Sequence, residues 1–335
     1  MLIWPIWFLK TRGGKQNVFD GVLIFAGALA FALAIDHYLG EPSARLHPVV
    51  WMGNYLNWAA KRLQPIASPA VQDLKSFWLA AAYWWAGAAI VLVVAVTVQG
   101  AARELPWYAA ALLLGVALKP MLAWAMLQFE VQAVELALGN SLAAGRQRLS
   151  MLVSRDTTQL TESEVRESAI ESLAENLNDS VVAPVFWFVL FGLPGAAVYR
   201  FANTADAMWG YRGLRHGVNW EWAGKWAARA DDVLSWLPAR ITALLLKLLS
   251  QGVDLETLGL EARKTPSPNS GWPMAAMALA LGVRLQKPGV YVLNASGRPP
   301  EPKDVVLAQN KASKVVVASC LCAQSAIIFV AYLKS

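Results

Sequence analysis

The chain has 335 residues, of which 56% are hydrophobic and 16% are charged, and its formal net charge is +6. Soluble domains carry about 25% charged residues, so this composition excludes an ordinary soluble surface. The positive charge forms no basic stripe and no nucleic-acid-binding motif, and basic residues that flank membrane spans account for it. We therefore expect an integral membrane protein that binds no nucleic acid.

Uncharged runs set the predicted architecture, which is an N-terminal leader at residues 1–19 and a single helical membrane domain at 20–335. Long runs fall at 77–102, 180–199 and 315–333, and shorter ones at 21–35 and 105–118. The last continues past Lys119 and Pro120, which predicts a kinked helix. About 20 apolar residues cross a membrane as a helix, so we predict an all-α polytopic fold with roughly four to six spans.

Two features complicate the predicted topology. Pro184, Gly192, Pro194 and Gly195 interrupt the run at 180–199, so we predict a broken or re-entrant segment there. Because the basic N-terminus should face the cytoplasm, we also expect the short run at 21–35 not to cross fully. Cysteine labelling at positions 163 and 219 should then find both on one face.

Polar segments at about 36–75, 130–180, 200–240 and 262–273 are expected to carry the function. The densest is the acidic island at 154–179, where seven acids face only Arg155 and Arg166, a local charge of −5. Thr161 and Glu164 have capping-box spacing, so a helix should begin at about Glu162. The acids of the island are Asp156, Glu162, Glu164, Glu167, Glu171, Glu175 and Asp179.

Several of these acids recur at steps of three or four residues, which places them on one face of the predicted helix. Carboxylates stacked in this way repel one another unless a cation lies on the face, and Mg²⁺ favours carboxylate and amide oxygens. Asn176 and Asn178 are poor helix formers beside the acids, which favours a functional role. The alternative is an ordinary solvated helix face.

Two further segments hold candidate residues. Asn203 and Asp206 lie one helical turn apart, and Asp231-Asp232 precedes an apolar stretch, where carboxylates must pair or bind a ligand. An ion pair with Arg229 or Arg240 is the alternative for that acid pair. Residues 264–273 form a rigid loop whose small polar residues could present N–H groups and hydroxyls to an anion, or form an ordinary turn.

These segments together carry a resemblance. Residues 36–53 (DHYLGEPSARLHPVVWMG), 154–160 (SRDTTQL), 171–212 (ESLAENLNDSVVAPVFWFVLFGLPGAAVYRFANTADAMWGYR), 228–244 (ARADDVLSWLPARITAL) and 267–285 (SPNSGWPMAAMALALGVRL) resemble the CobD/CbiB family of cobalamin biosynthesis. The resemblance runs from about Gly21 to Leu285, and the region at 286–312 resembles the family poorly.

The resemblance implies an adenosylcobinamide (phosphate) synthase, which is an acid–amine ligase of the inner membrane with its site on the cytoplasmic side. It would join adenosylcobyric acid to (R)-1-amino-2-propanol or its O-phosphate, using ATP and Mg²⁺, beside membrane lipid and other membrane enzymes of late cobalamin assembly. The catalytic candidates are Asp156, Glu171, Glu175, Asn176, Asp179, Asn203 and Asp206. The cofactor-binding candidates are Arg155, Arg229, Arg240, Ser267, Asn269 and Gly271, and the metal candidates are Glu171, Glu175, Asp179, Asp231 and Asp232.

The chain departs from the family pattern at a few positions. Ser180 stands where glycine is usual, Thr265 where histidine is usual and Ser235 where asparagine is usual, and Gln286-Lys287 replaces a Gly-Gly step. One alternative is therefore a diverged paralogue that keeps the fold and acts as a non-catalytic signalling or assembly protein. A small-solute transporter is the other alternative, although its acids should lie within spans rather than in the polar segments.

Overall fold

The computed structural model describes residues 18–63, 72–215, 218–250 and 252–333. These residues form thirteen α-helices and two small antiparallel hairpins. The helices are α1 Val18–Leu39, α2 Pro48–Leu63, α3 Leu74–Ala102, α4 Trp107–Leu118, α5 Trp124–Asn140, α6 Leu142–Leu149, α7 Glu162–Leu177, α8 Ala183–Trp209, α9 Trp220–Ala223, α10 Lys225–Leu248, α11 Leu255–Ala262, α12 Gly271–Leu281 and α13 Pro302–Tyr332. The strands are β1 Leu214–Arg215 with β2 Val218–Asn219, and β3 Leu285–Lys287 with β4 Tyr291–Leu293.

Among the residues that the structure describes, five helical stretches are long and apolar enough to cross a membrane, which confirms the predicted all-α polytopic fold. They are Phe19–Leu39, Leu74–Ala102, Trp107–Asn140, Glu162–Trp209 and Pro302–Tyr332. The first is longer than its uncharged run, because α1 extends to 22 residues. Its length therefore permits a crossing, contrary to the argument from the short run at 21–35. The predicted leader lies outside the described residues except for its last two.

The predicted kink after residue 118 is present. A short 3₁₀ turn at Lys119–Met121 separates α4 from α5. Proline has no N–H to continue the α-helical hydrogen bonds, so a break at Pro120 follows from the sequence.

A second proline shapes the end of α7. In an α-helix the N–H of residue 184 would donate to the carbonyl of Ser180, but Pro184 has no N–H. The Ser180 carbonyl accepts instead from the Ala123 N–H at 3.1 Å. Residues Asn178–Val182 form a π-helical turn at this point.

The predicted interruption of the run at 180–199 lies at Gly192. This residue has φ 69° and ψ −156°, a backbone region that is essentially limited to glycine. The break frees the N–H of Leu193, which donates to Oε1 of the buried Gln99 at 2.8 Å. Whether the segment is re-entrant in a bilayer stays a prediction.

The chain divides into two compact units, and the first comprises residues 1–122, 184–234 and 323–335. In its described part, α1 packs along α4, and α3 contacts α2, α4 and α9. Ile24, Leu29, Leu114 and Leu118 are fully buried in its core. The alanines of these helices allow the close approach, because small side chains let helix backbones pack tightly in membranes.

The second unit comprises residues 123–183 and 235–322. Its helix α7 packs against α5, α6, α12 and strand β3. A small core of Val134, Leu138, Leu149 and Val165 anchors α7 on α5 and α6. This packing buries most of the helix that carries the predicted acidic face. The prediction of a single membrane domain stays a prediction.

Candidate functional site

Helix α7 begins as its sequence predicts. The Thr161 N–H donates to Oε2 of Glu164 at 2.7 Å, and the Glu164 N–H donates to the Thr161 hydroxyl at 3.4 Å. This reciprocal capping box satisfies donors that the first helical turn leaves open. It confirms the predicted start at Glu162 and thereby sets the direction in which the later acids point.

The middle of α7 is buried. Glu167 and Glu171 expose 0% and 1% of their surface, so the alternative of a solvated helix face is wrong for these two acids. Removing a carboxylate from water costs several kcal/mol unless a cation or hydrogen-bond donors compensate. The neighbours of this face are therefore the first indication of what it does.

Two arginines neutralise the buried acids. Arg155 donates from Nη2 to Oε2 of Glu171 at 2.8 Å and from Nη1 to the Ser168 hydroxyl at 3.2 Å. Arg284 lies with its Nη2 at 3.4 Å from Oε1 of Glu167, an oxygen that also accepts from the Ser163 hydroxyl at 3.2 Å. Arg155 was predicted from the sequence as a site residue, and Arg284 was not.

The β3–β4 hairpin adds two more side chains to this face. Lys287 and Tyr291 are direct cross-strand partners, and β3 packs on α7. The Tyr291 hydroxyl lies against Glu171; burial raises the pKa of this phenol, and the Glu171 carboxylate raises it further. The Tyr291 hydroxyl therefore keeps its proton at neutral pH. Lys287 acts electrostatically on both Glu171 and Glu175.

Sequence reasoning missed this hairpin. A signal was present in Pro288-Gly289, a turn dipeptide directly before the short apolar segment at 290–293. Gly289 has φ 73°, which places it in the left-handed region that favours glycine.

The acidic face keeps unused acceptor capacity. Oε2 of Glu167 and Oε1 of Glu171 are buried without a hydrogen-bond partner among the described residues. Glu175 forms no ion pair within that part of the chain, and its electrostatic neighbours include Glu171 and Asp179. An ammonium group or a metal ion would satisfy this surplus of oxygen atoms.

The amide residues at the end of α7 are engaged with their neighbours. Asn176 donates to the Ser172 carbonyl at 2.9 Å. Asn178 donates to Oδ1 of Asp179 at 2.8 Å and accepts from the buried Thr242 hydroxyl at 3.1 Å. The π-helical turn thus places Asp179 about one helical turn after Glu175.

Asp156 lies in a surface turn. Its Oδ1 accepts from the Thr158 N–H at 2.9 Å and from the Thr158 hydroxyl at 2.8 Å, and these bonds lower the pKa of the carboxyl. These local hydrogen bonds are a structural reason for an aspartate at position 156. A catalytic role for Asp156 stays a prediction.

Three residues predicted to bind a cofactor, Arg240, Ser267 and Asn269, form hydrogen bonds in the loop before α12. Arg240 donates to Oδ1 of Asn269 at 3.0 Å and to the Pro268 carbonyl at 3.3 Å, while its guanidinium stacks on the ring of Trp236 at 4.2 Å. The Ser267 hydroxyl accepts from the N–H groups of Asn269 and Ser270, both at 3.2 Å. An anion in the predicted cradle, which includes Gly271, would have to share these donors.

Thr265 also stabilises this loop. Its hydroxyl donates to the Ser267 carbonyl at 2.9 Å and lies 3.3 Å from the Ala262 carbonyl. The Thr265 side chain therefore links the start of the loop to its middle.

No three His, Cys, Asp or Glu side chains come close enough to hold a metal ion by themselves in the described ranges. Mg²⁺ in nucleotide enzymes usually takes one or two carboxylates together with phosphate oxygens and water. Glu175 and Asp179 fit that smaller donor set. The assignment of Glu171, Glu175 and Asp179 to metal stays a prediction.

The remaining predicted residues lie in the first unit. Nδ2 of Asn203, on α8, donates to Oδ1 of Asp231, on α10, at 3.3 Å, although the two are 28 positions apart. Burial raises the pKa of Asp232, and the positive charge of Arg212 partly offsets the rise. Asp206 lies one turn after Asn203 on α8. Arg229 pairs with no carboxylate among the residues that the structure describes.

The first unit also holds a buried ionic cluster that sequence reasoning missed. Nζ of Lys119 lies 3.2 Å from Oδ1 of Asp36 and 2.7 Å from Oε2 of Glu41, and Nε2 of His47 lies 3.0 Å from the same glutamate oxygen. The side chains of Lys119 and Asp36 are each 2% exposed. The sequence signal was a lone lysine within a long apolar stretch, a placement that usually requires a partner.

The fold and these clusters define a multi-pass helical membrane protein with a buried, arginine-paired acidic face. Comparison with known proteins agrees with this class. The chain belongs to the CobD/CbiB family, because the family model described as "CobD/Cbib protein" matches residues 29–317. The match extends through the region at 286–312.

Curated relatives cover most of both chains. The chain is 41% identical over 281 residues to a "Probable cobalamin biosynthesis protein CobD" of Thermococcus kodakarensis, covering 82% of this chain and 86% of the relative. It is 39% identical to the protein of that name from Methanothermobacter thermautotrophicus, covering 79% and 85%. It is 37% identical to the "Cobalamin biosynthesis protein CobD" of Halalkalibacterium halodurans, covering 79% and 82%. No solved structure matches the chain.

Proposed function

We propose that this protein acts in cobalamin biosynthesis as an ATP-dependent acid–amine ligase. It would join the propionate carboxylate of adenosylcobyric acid to (R)-1-amino-2-propanol or its O-phosphate, and so form adenosylcobinamide or its phosphate. Family membership supports the pathway. The observation that carries the reaction class is the acidic face of α7, where two arginines pair with buried glutamates and some carboxylate oxygens stay without partners.

The chemistry needs two linked transfers. The γ-phosphoryl group of ATP passes to a carboxylate oxygen of the corrinoid, which gives an acyl phosphate and ADP. The amine then attacks the acyl carbon, the C–N bond forms, and the C–O bond to phosphate breaks. The ammonium must lose protons to become a nucleophile, so the site needs a base as well as cations for the phosphoryl group.

The residues of the second unit offer both kinds of group. Arg155 and Lys287 provide positive charge beside the glutamates and would contact phosphate or carboxylate oxygens. Glu175 would accept a proton from the ammonium group. Tyr291 keeps its proton and would hold Glu171 in place as a donor. Mg²⁺, held by Asp179 together with phosphate oxygens and water, would supply charge neutralisation on the nucleotide phosphates.

We place this reaction on the cytoplasmic side of the inner membrane, because ATP is a cytoplasmic substrate. Lipid would surround the spans, and other membrane enzymes of late cobalamin assembly are the proposed neighbours. A single cysteine at position 163, in a variant with Cys320 and Cys322 replaced by serine, would test the orientation. Labelling by an impermeant maleimide in intact cells would contradict a cytoplasmic site.

The decisive experiment is an activity assay on detergent-purified protein. The protein is incubated with adenosylcobyric acid, MgATP and either aminopropanol or its O-phosphate. The mass of the corrinoid product is then measured by mass spectrometry. We expect an amide product that requires ATP and Mg²⁺, with Glu175→Gln as the inactive variant and Glu256→Gln, on the surface of α11, as the control. No product from folded protein with either amine would favour the diverged paralogue.

One observation supports a solute transporter as a second candidate. Asp36 and Lys119 are buried charges within the stretches Phe19–Leu39 and Trp107–Asn140, where a transporter would place them. Uptake of corrinoid by proteoliposomes without ATP would support transport. An ATP-dependent amide product without uptake would support the ligase.

A further inference from the structure

The first unit contains an apolar cavity of about 550 Å³ that the proposed reaction does not use. Helix α3 contributes Trp84, Trp85 and Leu92, and α10 contributes Trp226, Arg229 and Val233. Trp226 packs against the other two indoles, with ring centroids 6.3 Å from Trp84 and 5.9 Å from Trp85. The walls are thus aromatic and aliphatic, with one charged group.

The one charged group of this cavity is the Arg229 side chain, which is a hydrogen-bond donor. The Arg229 guanidinium is exposed and forms no ion pair with a described carboxylate. The lining includes no acidic side chain. A ligand that fits here brings its own acceptor oxygens and negative charge, together with an apolar body.

The rim of the cavity indicates where such a ligand comes from. Trp85, Leu92 and Val233 are exposed large side chains at its edge. Helix α3 is apolar enough to span a membrane, and only a third of its most apolar window is buried. Arg229 lies beside this apolar surface, and arginine side chains in such positions extend their charged ends towards the lipid headgroups.

We propose that this cavity is a binding site for an anionic phospholipid. One acyl chain lies against the three tryptophans, and the headgroup phosphate accepts from Arg229. An anionic headgroup is favoured over a zwitterionic one, because the lining offers no carboxylate to pair with a headgroup amine. The sequence assigned Arg229 to phosphate contacts, and a lipid phosphate has that chemistry. This inference is independent of the ligase reaction.

Native mass spectrometry of the detergent-purified full chain tests the proposal. The protein is titrated with phosphatidylglycerol, with phosphatidylethanolamine and, separately, with MgATP. We expect phosphatidylglycerol to be retained about fivefold better than phosphatidylethanolamine, the preference that one arginine near anionic lipid supplies. Arg229→Gln should abolish this preference. Arg62→Gln, which removes an exposed arginine stacked on Trp58 outside the cavity, should leave it unchanged.

A second variant keeps the test decisive if Arg229→Gln folds poorly. Ala89 lines the cavity from an exposed position on α3, so Ala89→Phe fills the space without a buried clash. It should reduce retention of both lipids. Equal retention of the two lipids by the unmodified protein, or an unchanged preference in Arg229→Gln, would overturn the proposal. Displacement of phosphatidylglycerol by MgATP would also overturn it, since the occupant would then be a nucleotide phosphate.

Discussion

At the residue scale, the pair of Arg155 and Glu171 has a large expected effect on stability. The Glu171 side chain is 2% exposed, so removing its partner leaves a buried charge without compensation. We expect Arg155→Gln to lower the free energy of unfolding by about 3–5 kcal/mol. Adding Glu171→Gln should recover part of that loss, because the double variant has no buried charge at this point.

The control for this prediction is Lys303→Gln. Lys303 and Glu301 form an ion pair of 2.7 Å whose side chains are 64% and 53% exposed. Exposed pairs contribute about 0–1 kcal/mol, so this variant should behave like the unmodified protein. Reversible denaturant unfolding in detergent micelles measures all three. Equal losses in Arg155→Gln and Lys303→Gln would contradict the structural importance of the buried pair.

Asp232 should make the stability of the protein depend on pH. Its folded-state pKa is raised by burial, so its contribution is fully favourable below the unfolded pKa and is lost as the pH rises through the folded pKa. Asp232→Asn, which stays neutral, should therefore raise Tm at pH 7.5. The gain should disappear at about pH 4 and below. Thermal unfolding followed from pH 4 to 8 measures this trend.

Asp254 provides a control of opposite sign. It caps α11 by accepting from the Thr257 N–H at 2.8 Å, and this bond lowers its pKa. A lowered pKa gives stability that is present above the unfolded pKa and is lost as the pH falls through the folded pKa. Asp254→Asn should thus lower Tm at pH 7.5. Changes of the same sign in the two variants would contradict the assigned environments.

At the scale of elements, the break in α8 depends on one glycine. Any side chain at Gly192 requires a strained backbone, and its Cβ would also collide with the Gln99 amide. We expect Gly192→Ala to lower the free energy of unfolding by about 1–3 kcal/mol. Gly100→Ala is the control, because Gly100 lies in helix α3 with nothing near its Cβ position. That change should be neutral or stabilising by up to about 1 kcal/mol.

The β3–β4 hairpin should affect activity rather than stability. Tyr291→Phe keeps the ring and removes only the hydroxyl beside Glu171. If the ligase proposal holds, kcat should fall about tenfold, which corresponds to about 1.4 kcal/mol of interaction between the phenol and the Glu171 carboxylate. KM and Tm should change little, whereas a purely structural role would lower Tm. Tyr108→Phe, at an exposed residue of α4, should change none of these quantities.

The part of this site formed by residues close together in the sequence could be predicted, and the part formed by distant residues could not. The start of α7 and its line of acids could be predicted, because a capping box and a helical repeat each extend over only a few residues. The break near Gly192 follows from the same kind of local signal, whereas α1 and α13 extend well beyond their uncharged runs. Arg155 was identified because it lies within the acidic island.

The partners that define the site come from far along the chain. Arg284 reaches Glu167 across 117 positions, and Thr242 reaches Asn178 across 64. Neither pairing has a signal in the spacing of residues, because both depend on how α7 packs. The same is true of Lys119, because helices α2, α3 and α4 separate it along the chain from its carboxylate partners Asp36 and Glu41.

At the scale of the whole molecule, the outward side chains of α3 should face lipid. Val93 is 63% exposed in the middle of this helix. Val93→Asp should oppose insertion by about 2.5–3.5 kcal/mol and lower the amount of protein that resists alkaline carbonate extraction. Val290 is also exposed, at 49%, but lies in the turn of the β3–β4 hairpin. Equal loss of inserted protein in Val93→Asp and Val290→Asp would contradict a membrane-facing α3.

The pairing of Lys287 with Tyr291 across the hairpin limits the insertions and deletions that this segment can tolerate during evolution. The two residues point to the same side only while their strands stay in register. A single inserted or deleted residue in either strand would turn one of them to the opposite side. Substitutions elsewhere in the hairpin leave this alternation intact. The length of the segment from Leu285 to Leu293 should therefore vary less among descendants than its composition.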